Sequence, residues 1–559
     1  MDSAIRADDL ASVQDALARH AWSLAYDLAV AGSHEVRRAE RGSTEDDLFA
    51  GDWLDRLAEA AWWVGRLDEC IAARERAYAC YDRAGAGLQA GRCAAWLYHH
   101  WTFKGKRAIA SGWLGRARRS LNSQRGSADY SYLLLYEAEV AHGAGDLAGS
   151  TALVEQAMDL GQLLRVPDLE AQALQAFGRL LIDEGRPAEG LARLDEAMLF
   201  AIEGRLSPFV TGRVYCSLVS ACHDLGDIRR ANEWIEAVGS WADTHPFTVF
   251  PGLCRLHRAD LMQWRGDWQA AEAEARQACS ELRDLFVPNA AAAYAEVGEI
   301  CRRRGDLDAA EEAFARAEAL DARPAAGLAL LRLTQGRAEA ASAVISSAIE
   351  ETTWNRLARG WLLPVEAQVA VAMSDLGRAL TAAEELTETA RLFESPVLHA
   401  AAASATGRVE LASRDPSAST SLRAAVRRWL ELDVPYEAAT ARVLLARACR
   451  AAGDEEGAQA SFAAAESVFT RLGATLDLRE VTALRAASPR TDLPAGLTDR
   501  EAEVLRLVAA GHTNKQIGAE LCVSSKTISR HLSNIFAKIG VSSRAAATAF
   551  VFEHQLLGG

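Results

Sequence analysis

No stretch of this chain approaches the ~18 consecutive apolar residues that a membrane-spanning helix needs, so no transmembrane segment and no membrane partner are expected. The N-terminus carries Asp2, Asp8 and Asp9 where a secretory leader would place basic and then apolar residues. The cysteines (Cys70, Cys80, Cys93, Cys216, Cys222, Cys254, Cys279, Cys301, Cys449 and Cys522) are scattered singly, with no Cys-x-x-Cys. That spacing does not support a metal–thiolate cluster and reads as small, reduced core residues in a cytoplasmic chain. The Gly105-Lys106 pair has His100 where a phosphate-binding loop needs its first glycine, and Arg107 where it needs Ser or Thr. Neighbours such as His99 and His100, or Glu350 and Glu351, point about 100° apart on a helix, so neither pair alone chelates a metal. No catalytic constellation, cofactor or metal site is expected, and the chain reads as a non-enzyme.

Half of the residues are apolar, and 61 Lys and Arg stand against 76 Asp and Glu, a net charge of −15. The acidity is uneven. From Thr491 onward 7 basic residues meet 6 acidic ones, a net of +1, so the acidic excess lies upstream.

A glycine followed by Asp or Arg recurs along the upstream part: Gly65, Gly145, Gly185, Gly226, Gly266, Gly305, Gly336, Gly377 and Gly453, with Gly105-Lys106 and Asp415-Pro416 filling the gaps. From 65 to 453 there are ten steps over 388 residues, a mean of 38.8; only the step from Gly305 to Gly336 is short, at 31. Helical segments flank each mark: Ala293–Arg303 or Ala438–Ala451 before it, Leu307–Leu320 or Glu455–Phe469 after it. Alanines at helical spacing let paired helices approach closely. One hairpin cannot bury its own apolar face, so neighbours stack into an α-solenoid. The Ala310, Phe314 and Ala317 spacing resembles the second helix of a tetratricopeptide repeat, with a period longer than the usual 34. The expected organisation is a repeat region over 1–485 of about eleven helix pairs, a linker over 486–496 and a small domain over 497–559. Subdomain breaks are expected near Ser207-Pro208 or His245-Pro246.

The last segment reads as short helices around a tight turn. Thr498 with Glu501, and Thr513 with Gln516, have capping-box spacing. Val504, Leu505 and Val508 give the first helix an apolar face, and Ile517 and Leu521 the second. Val523 and Ser524 form the turn. In the third helix Ile528, Leu532, Ile535, Phe536 and Ile539 make one buried stripe, leaving Lys526, Ser529, Arg530, Ser533 and Asn534 outward. Such a helix can place donors and acceptors against base edges in a major groove. A fourth helix is expected over roughly Arg544–Leu556. The fold class is therefore all-α, a solenoid followed by a four-helix DNA-reading unit.

The segment resembles the LuxR/NarL-type helix-turn-helix domain of bacterial transcriptional regulators. The matching residues are Leu497, Thr498, Arg500 and Glu501; Gly511, Thr513, Asn514, Lys515 and Ile517; Thr527, Ile528, His531, Asn534 and Ile535; and Lys538, Ile539, Gly540, Val541 and Arg544. The motif itself spans about 514–533. The resemblance implies DNA contacts from Asn514, Lys515, Lys526, Thr527, Ser529, Arg530, His531, Ser533, Asn534, Lys538 and Arg544. In many members a Lys follows the Thr-Val pair; here Ser529 stands there and Arg530 comes next. It further implies a homodimer on promoter DNA, RNA polymerase as a partner, and activation as the sign of control. The ATPase and receiver domains of other members have no counterpart here.

All 14 Trp precede residue 430. Trp53, Trp62, Trp63, Trp96, Trp101 and Trp113 cluster early beside Tyr98, His99 and His100, and Trp264 and Trp268 form a second patch. Bulky aromatics can fill gaps between alanine-rich helices. The alternative is a binding site for a small-molecule inducer or protein partner, with Trp62, Trp63, Trp96 and Trp101 as its candidates. The rival to a regulator is a repeat scaffold that binds proteins, with DNA contact secondary.

Overall fold

The computed structural model describes residues 2–33, 43–244, 251–320, 324–487, 493–521, 523–554 and 556. Its secondary structure among them is helical throughout. Two compact units are present: residues 1–405 with 431–434, and residues 406–430 with 435–559.

Between Thr44 and Leu472 the helices fall into eleven consecutive hairpins, preceded by the pair Asp2–Ala18 and Trp22–Ala31. Besides that pair, six helices line the interior site: α1 (Thr44–Trp63), α2 (Leu67–Arg83), α3 (Gly87–Phe103), α4 (Ala128–Gly143), α5 (Pro167–Asp183) and α6 (Pro208–Leu225). The second unit ends in α7 (Asp499–Ala509), α8 (Asn514–Glu520), α9 (Ser525–Lys538) and α10 (Arg544–Glu553). The helix Thr475–Ala486 lies between the last hairpin and this group.

The glycine marks are the hairpin tips. Gly65, Gly105, Gly145, Gly185, Gly226, Gly266, Gly305, Gly336 and Gly453 all have positive φ, which is how a helix ends and reverses at low steric cost. Two marks shift. Gly377 lies inside the helix Leu376–Leu392, and Ser374 (φ 62°) takes the left-handed position; near Asp415 that position belongs to Arg414 (φ 58°). The short step before Gly336 arises because the first helix there, Ala325–Thr334, has only 10 residues. Pro208 opens α6 at its first position, so Ser207-Pro208 is a junction between hairpins rather than a domain break. His245-Pro246 lies outside the described residues.

Packing within and between hairpins is close because small residues meet large ones. Phe314, 1% exposed, sits between two glycines of neighbouring first helices. A Cβ on Gly298 or on Gly327 would come within 2.6 Å of its ring. Ala310 and Ala317 beside it are fully buried.

The first unit also closes on itself. The tip at Gly145 packs on Trp354, the tip at Gly185 on Leu392, and the tip at Gly226 on Val397. Gly65 and Gly105 face Leu285 and Val287 in the same way. In every case the tip meets a junction four or five hairpins further along. The unit is therefore a superhelix whose successive turns touch. Trp361 seals one such contact by donating from Nε1 to the carbonyl of Asp224, at 2.9 Å.

Gly226 and Gly453 separate the two costs at a tip. A Cβ on Gly226 would lie 2.5 Å from Val397, whereas Gly453 has open space around it; both have positive φ. Gly453→Ala should cost about 1–2 kcal/mol for the left-handed backbone alone. Gly226→Ala should add about 1–3 kcal/mol of overpacking. Urea midpoints of the two variants check this, and equal losses would show that the turn-to-turn contact carries no energy.

Candidate nucleic-acid interface and interior cavity

Three caps set the first three helices of the four-helix C-terminal unit. Thr498 accepts from the N–H of Glu501 while the Glu501 carboxylate accepts from the N–H of Thr498, and Thr513 and Gln516 do the same. Ser524 caps α9 by accepting from the N–H of Thr527 at 3.1 Å. Ile528, Leu532, Ile535 and Ile539 of α9 bury themselves against Val504, Leu505, Val508, Ile517 and Val551. Phe536 packs at the edge of this core. The last helix ends at Glu553, short of the expected Leu556, whose side chain nonetheless joins the core.

The turn between α8 and α9 rests on Gly518. Its carbonyl accepts from the N–H of Val523 at 2.8 Å, and a Cβ there would stand 2.6 Å from the Val523 carbonyl oxygen. An isolated glycine within a seven-residue helix signals such a close approach, yet the apolar spacing alone passed over it.

The candidate DNA contacts divide into two groups. Arg544 donates to the Asn514 carboxamide oxygen at 3.0 Å and to the backbone carbonyl of His512. Asn514 in turn donates to Ser529 Oγ at 3.1 Å. This chain of bonds ties α10 through α8 to α9, so Arg544, Asn514 and Ser529 position the reading helix. Lys538 is paired with Glu501 at 2.7 Å, and Thr527 Oγ1 lies 2.7 Å from Ser524 Oγ within the cap. Ser533 donates back to the Ser529 carbonyl. In contrast, Lys515, Lys526 and Arg530 are exposed and make no ion pair among the described residues, and Asn534 is exposed beside them. His531 is half-buried at the flank of the stripe.

The family model described as "Bacterial regulatory proteins, luxR family" matches residues 495–551. Residues 495–551 form a LuxR-family helix-turn-helix domain. This region is 51% identical over 59 residues to a nitrate/nitrite response regulator protein homolog of Haemophilus influenzae, covering 11% of this chain and 28% of that protein. It is 44% identical over 61 residues to the transcriptional regulatory protein LiaR of Bacillus subtilis, covering 11% of this chain and 29% of that protein. The response regulator protein VraR of Staphylococcus aureus matches at 38% over 68 residues, which is 12% of this chain and 32% of VraR. The chain thus spans about a third or less of the curated relatives it matches. Among solved structures, an APC/C hetero-tetramer Cut9-Hcn1 aligns with TM-score 0.38 and 13% identity, over 84% of this chain and 95% of that one. A human IFIT1 dimer aligns with TM-score 0.37 and 14% identity, over 76% and 90%. Similarity at that level carries no inference about this chain.

In the first unit, the first helices of five consecutive hairpins, together with α2, surround a cavity of about 410 Å³. Trp62, Trp63 and Trp96 line it; Trp101 does not, and instead packs among Tyr98, Leu114, Leu133 and Tyr136. Trp62 stacks between His100 and Phe103, and Trp63 on Trp22. The wall also carries charge: Arg92 holds Asp129 bidentately at 2.8 and 2.9 Å, Arg74 lies 3.4 Å from Asp55, and Arg56 lies 3.3 Å from Glu59. Protein encloses Glu59, yet 40% of its side chain is accessible because it faces the cavity. Burial raises its proton affinity against the pull of Arg56. The second aromatic patch is split: Trp264 meets His223 and Trp361, while Trp268 is buried and donates to the Gln263 carbonyl at 3.1 Å.

His99 and His100 lie deep beside this cavity, 3% and 1% exposed. They face different partners. Arg213 lies 2.8 Å from His99 Nε2, whereas His100 stacks on Trp62 and Trp96 and approaches Cys70. Burial, reinforced by Arg213 and Arg74 respectively, holds both well below the usual imidazole range. His223 is raised to about 9 by the carboxylates of Asp224, 4.0 Å away, and Asp260, which outweigh its burial, and His257 is lowered to about 4 by burial.

Gly518→Val should unfold the α8–α9 turn and abolish DNA binding, with the loss of the last unit's helical signal checked by circular dichroism on the full chain; retained binding would refute the role of the turn. Histidines kept neutral in the fold give stability that is complete above the unfolded pKa near 6.5 and is lost as pH falls below it. His223 and His257 act in opposite directions over this range and roughly offset. His99 and His100 together should contribute a loss of about 3 kcal/mol between pH 7.5 and 5.5, opposed by the gain from the buried Glu296 and Asp260 carboxyls, whose proton affinity burial raises. Urea midpoints across that range test it: the double change of both histidines to Asn should flatten the slope, and an unchanged slope would exclude them as its source.

Proposed function

We propose that this chain is a bacterial DNA-binding transcriptional regulator whose helical-repeat region senses a small molecule or protein partner. In this reading α9 enters the major groove, and Lys526, Arg530 and Asn534 face the bases and phosphates. The observation that carries it is the division of charge on the reading unit. Lys538 and Arg544 are paired within the domain, whereas Lys515, Lys526 and Arg530 stand free on the side turned away from the core.

A unit with net charge near +1 has little non-specific attraction to DNA. Pairing two copies supplies the missing contacts. On α10, Ala545, Ala549 and Phe552 are exposed at i, i+4 and i+7, and Phe552 is 59% exposed. That apolar stripe supports a homodimer through the last helix. Control then works by population shift, with the ligand favouring the arrangement of the repeat region in which the DNA readers pair. Activation through RNA polymerase, in a cytoplasmic setting, completes the reading.

Genome-wide DNA capture with the purified full-length chain at stated salt tests the proposal. Sharp peaks are expected, and Arg530→Ala should weaken binding at them by about 1–3 kcal/mol while leaving the melting temperature unchanged. Equal capture by wild type and Arg530→Ala would instead support the protein-binding scaffold.

A further inference from the structure

The cavity enclosed by the first helices of the first five hairpins is not a gap left by imperfect packing. Its volume of about 410 Å³ lies in the range of small-molecule sites. Trp62, Trp63 and Trp96 line it, with the ring faces of Trp62 covered by His100 and Phe103 and those of Trp96 by His100 and Arg74. Two polar side chains that line it are 3% exposed and lack a hydrogen-bond partner among the described residues: the indole nitrogen of Trp62 and the carboxamide nitrogen of Gln172. Orphan donors at that depth cost free energy unless something accepts from them.

The charges on the wall do not cancel. Its three arginines each face a carboxylate: Arg56 faces Glu59, Arg74 faces Asp55 and Arg92 faces Asp129. Arg74 also lies over the Trp96 ring, at 5.3 Å. Asp168 is the remaining carboxylate. Its Oδ1 accepts from the N–H of Ser207 at 2.8 Å, which fixes its orientation, and it has no cationic partner among the described residues. A carboxylate in excess, held within a partly apolar wall, selects positive charge by ion pairing. The two orphan donors ask in addition for an oxygen acceptor.

We infer that this cavity binds a small organic ammonium compound that also carries an oxygen acceptor, with Asp168 receiving the ammonium and Trp62 and Gln172 donating to the oxygen. The inference rests on the regulator reading and gives its sensory step a ligand class.

The test uses isothermal titration calorimetry on the full-length chain with three matched probes. Tyramine has the ammonium and a phenol oxygen, 4-ethylphenol lacks the charge, and 3-(4-hydroxyphenyl)propionate reverses it. Tyramine alone of the three should bind saturably. Asp168→Asn should weaken it at least about tenfold, and Gln172→Ala should weaken it less, with melting temperatures confirming that both variants fold. Binding of all three alike, preference for the propionate, binding of none, or an Asp168→Asn variant with undiminished affinity would each overturn the proposal. DNA capture by the same protein, read separately, distinguishes this failure from that of the regulator reading: sharp Arg530-dependent peaks without amine binding would leave the regulator and remove only its ligand.

Discussion

Each of the first five hairpin tips does two jobs, and the rest of the first unit depends on their combination. A left-handed residue reverses the chain, and its missing side chain admits the junction that arrives four or five hairpins later. Val397 against Gly226 shows how little room is left. Were the tips bulkier, the turns of the superhelix would be held apart. The first helices of the first five hairpins could then no longer enclose the cavity that Trp62, Asp168 and Gln172 line. Local backbone chemistry thus decides whether an interior exists.

The same economy governs the DNA-reading unit on a smaller scale. Gly518 brings α8 and the turn into contact, and the Arg544–Asn514–Ser529 chain of hydrogen bonds then sets the reading helix. Positioning and recognition fall to different side chains. Lys538 and Arg544 are bonded within the domain, while the cations left free are concentrated where α9 and the start of α8 face outward.

Much of this was legible in the sequence, and the reasons differ by element. The hairpin count followed from a period of glycines because reversal after a helix requires positive φ, a local demand. The tip at Ser374 was missed because a nearby glycine, Gly377, offered the same signal three positions late. The DNA-reading helices were legible because caps and apolar stripes are local as well. The roles of Arg544 and Asn514 were not, since their bond spans thirty positions. The early tryptophans marked the cavity, but Trp101 was drawn in by proximity in sequence although it points into a packed cluster. Asp168 and Gln172 gave no signal at all. Each is a single polar residue on its own helix, and only the stacking of successive hairpins brings them to one wall.

Contact between successive turns also has a mechanical meaning. A coil with separated turns stretches or bends by small adjustments spread along its length. A coil whose turns already touch resists compression outright, and it lengthens only when tip-to-junction contacts such as Gly145 on Trp354 and Gly185 on Leu392 let go. The first unit is therefore built as a closed-wound spring. A molecule that fits inside it has little scope to squeeze it further and much scope to decide whether it opens.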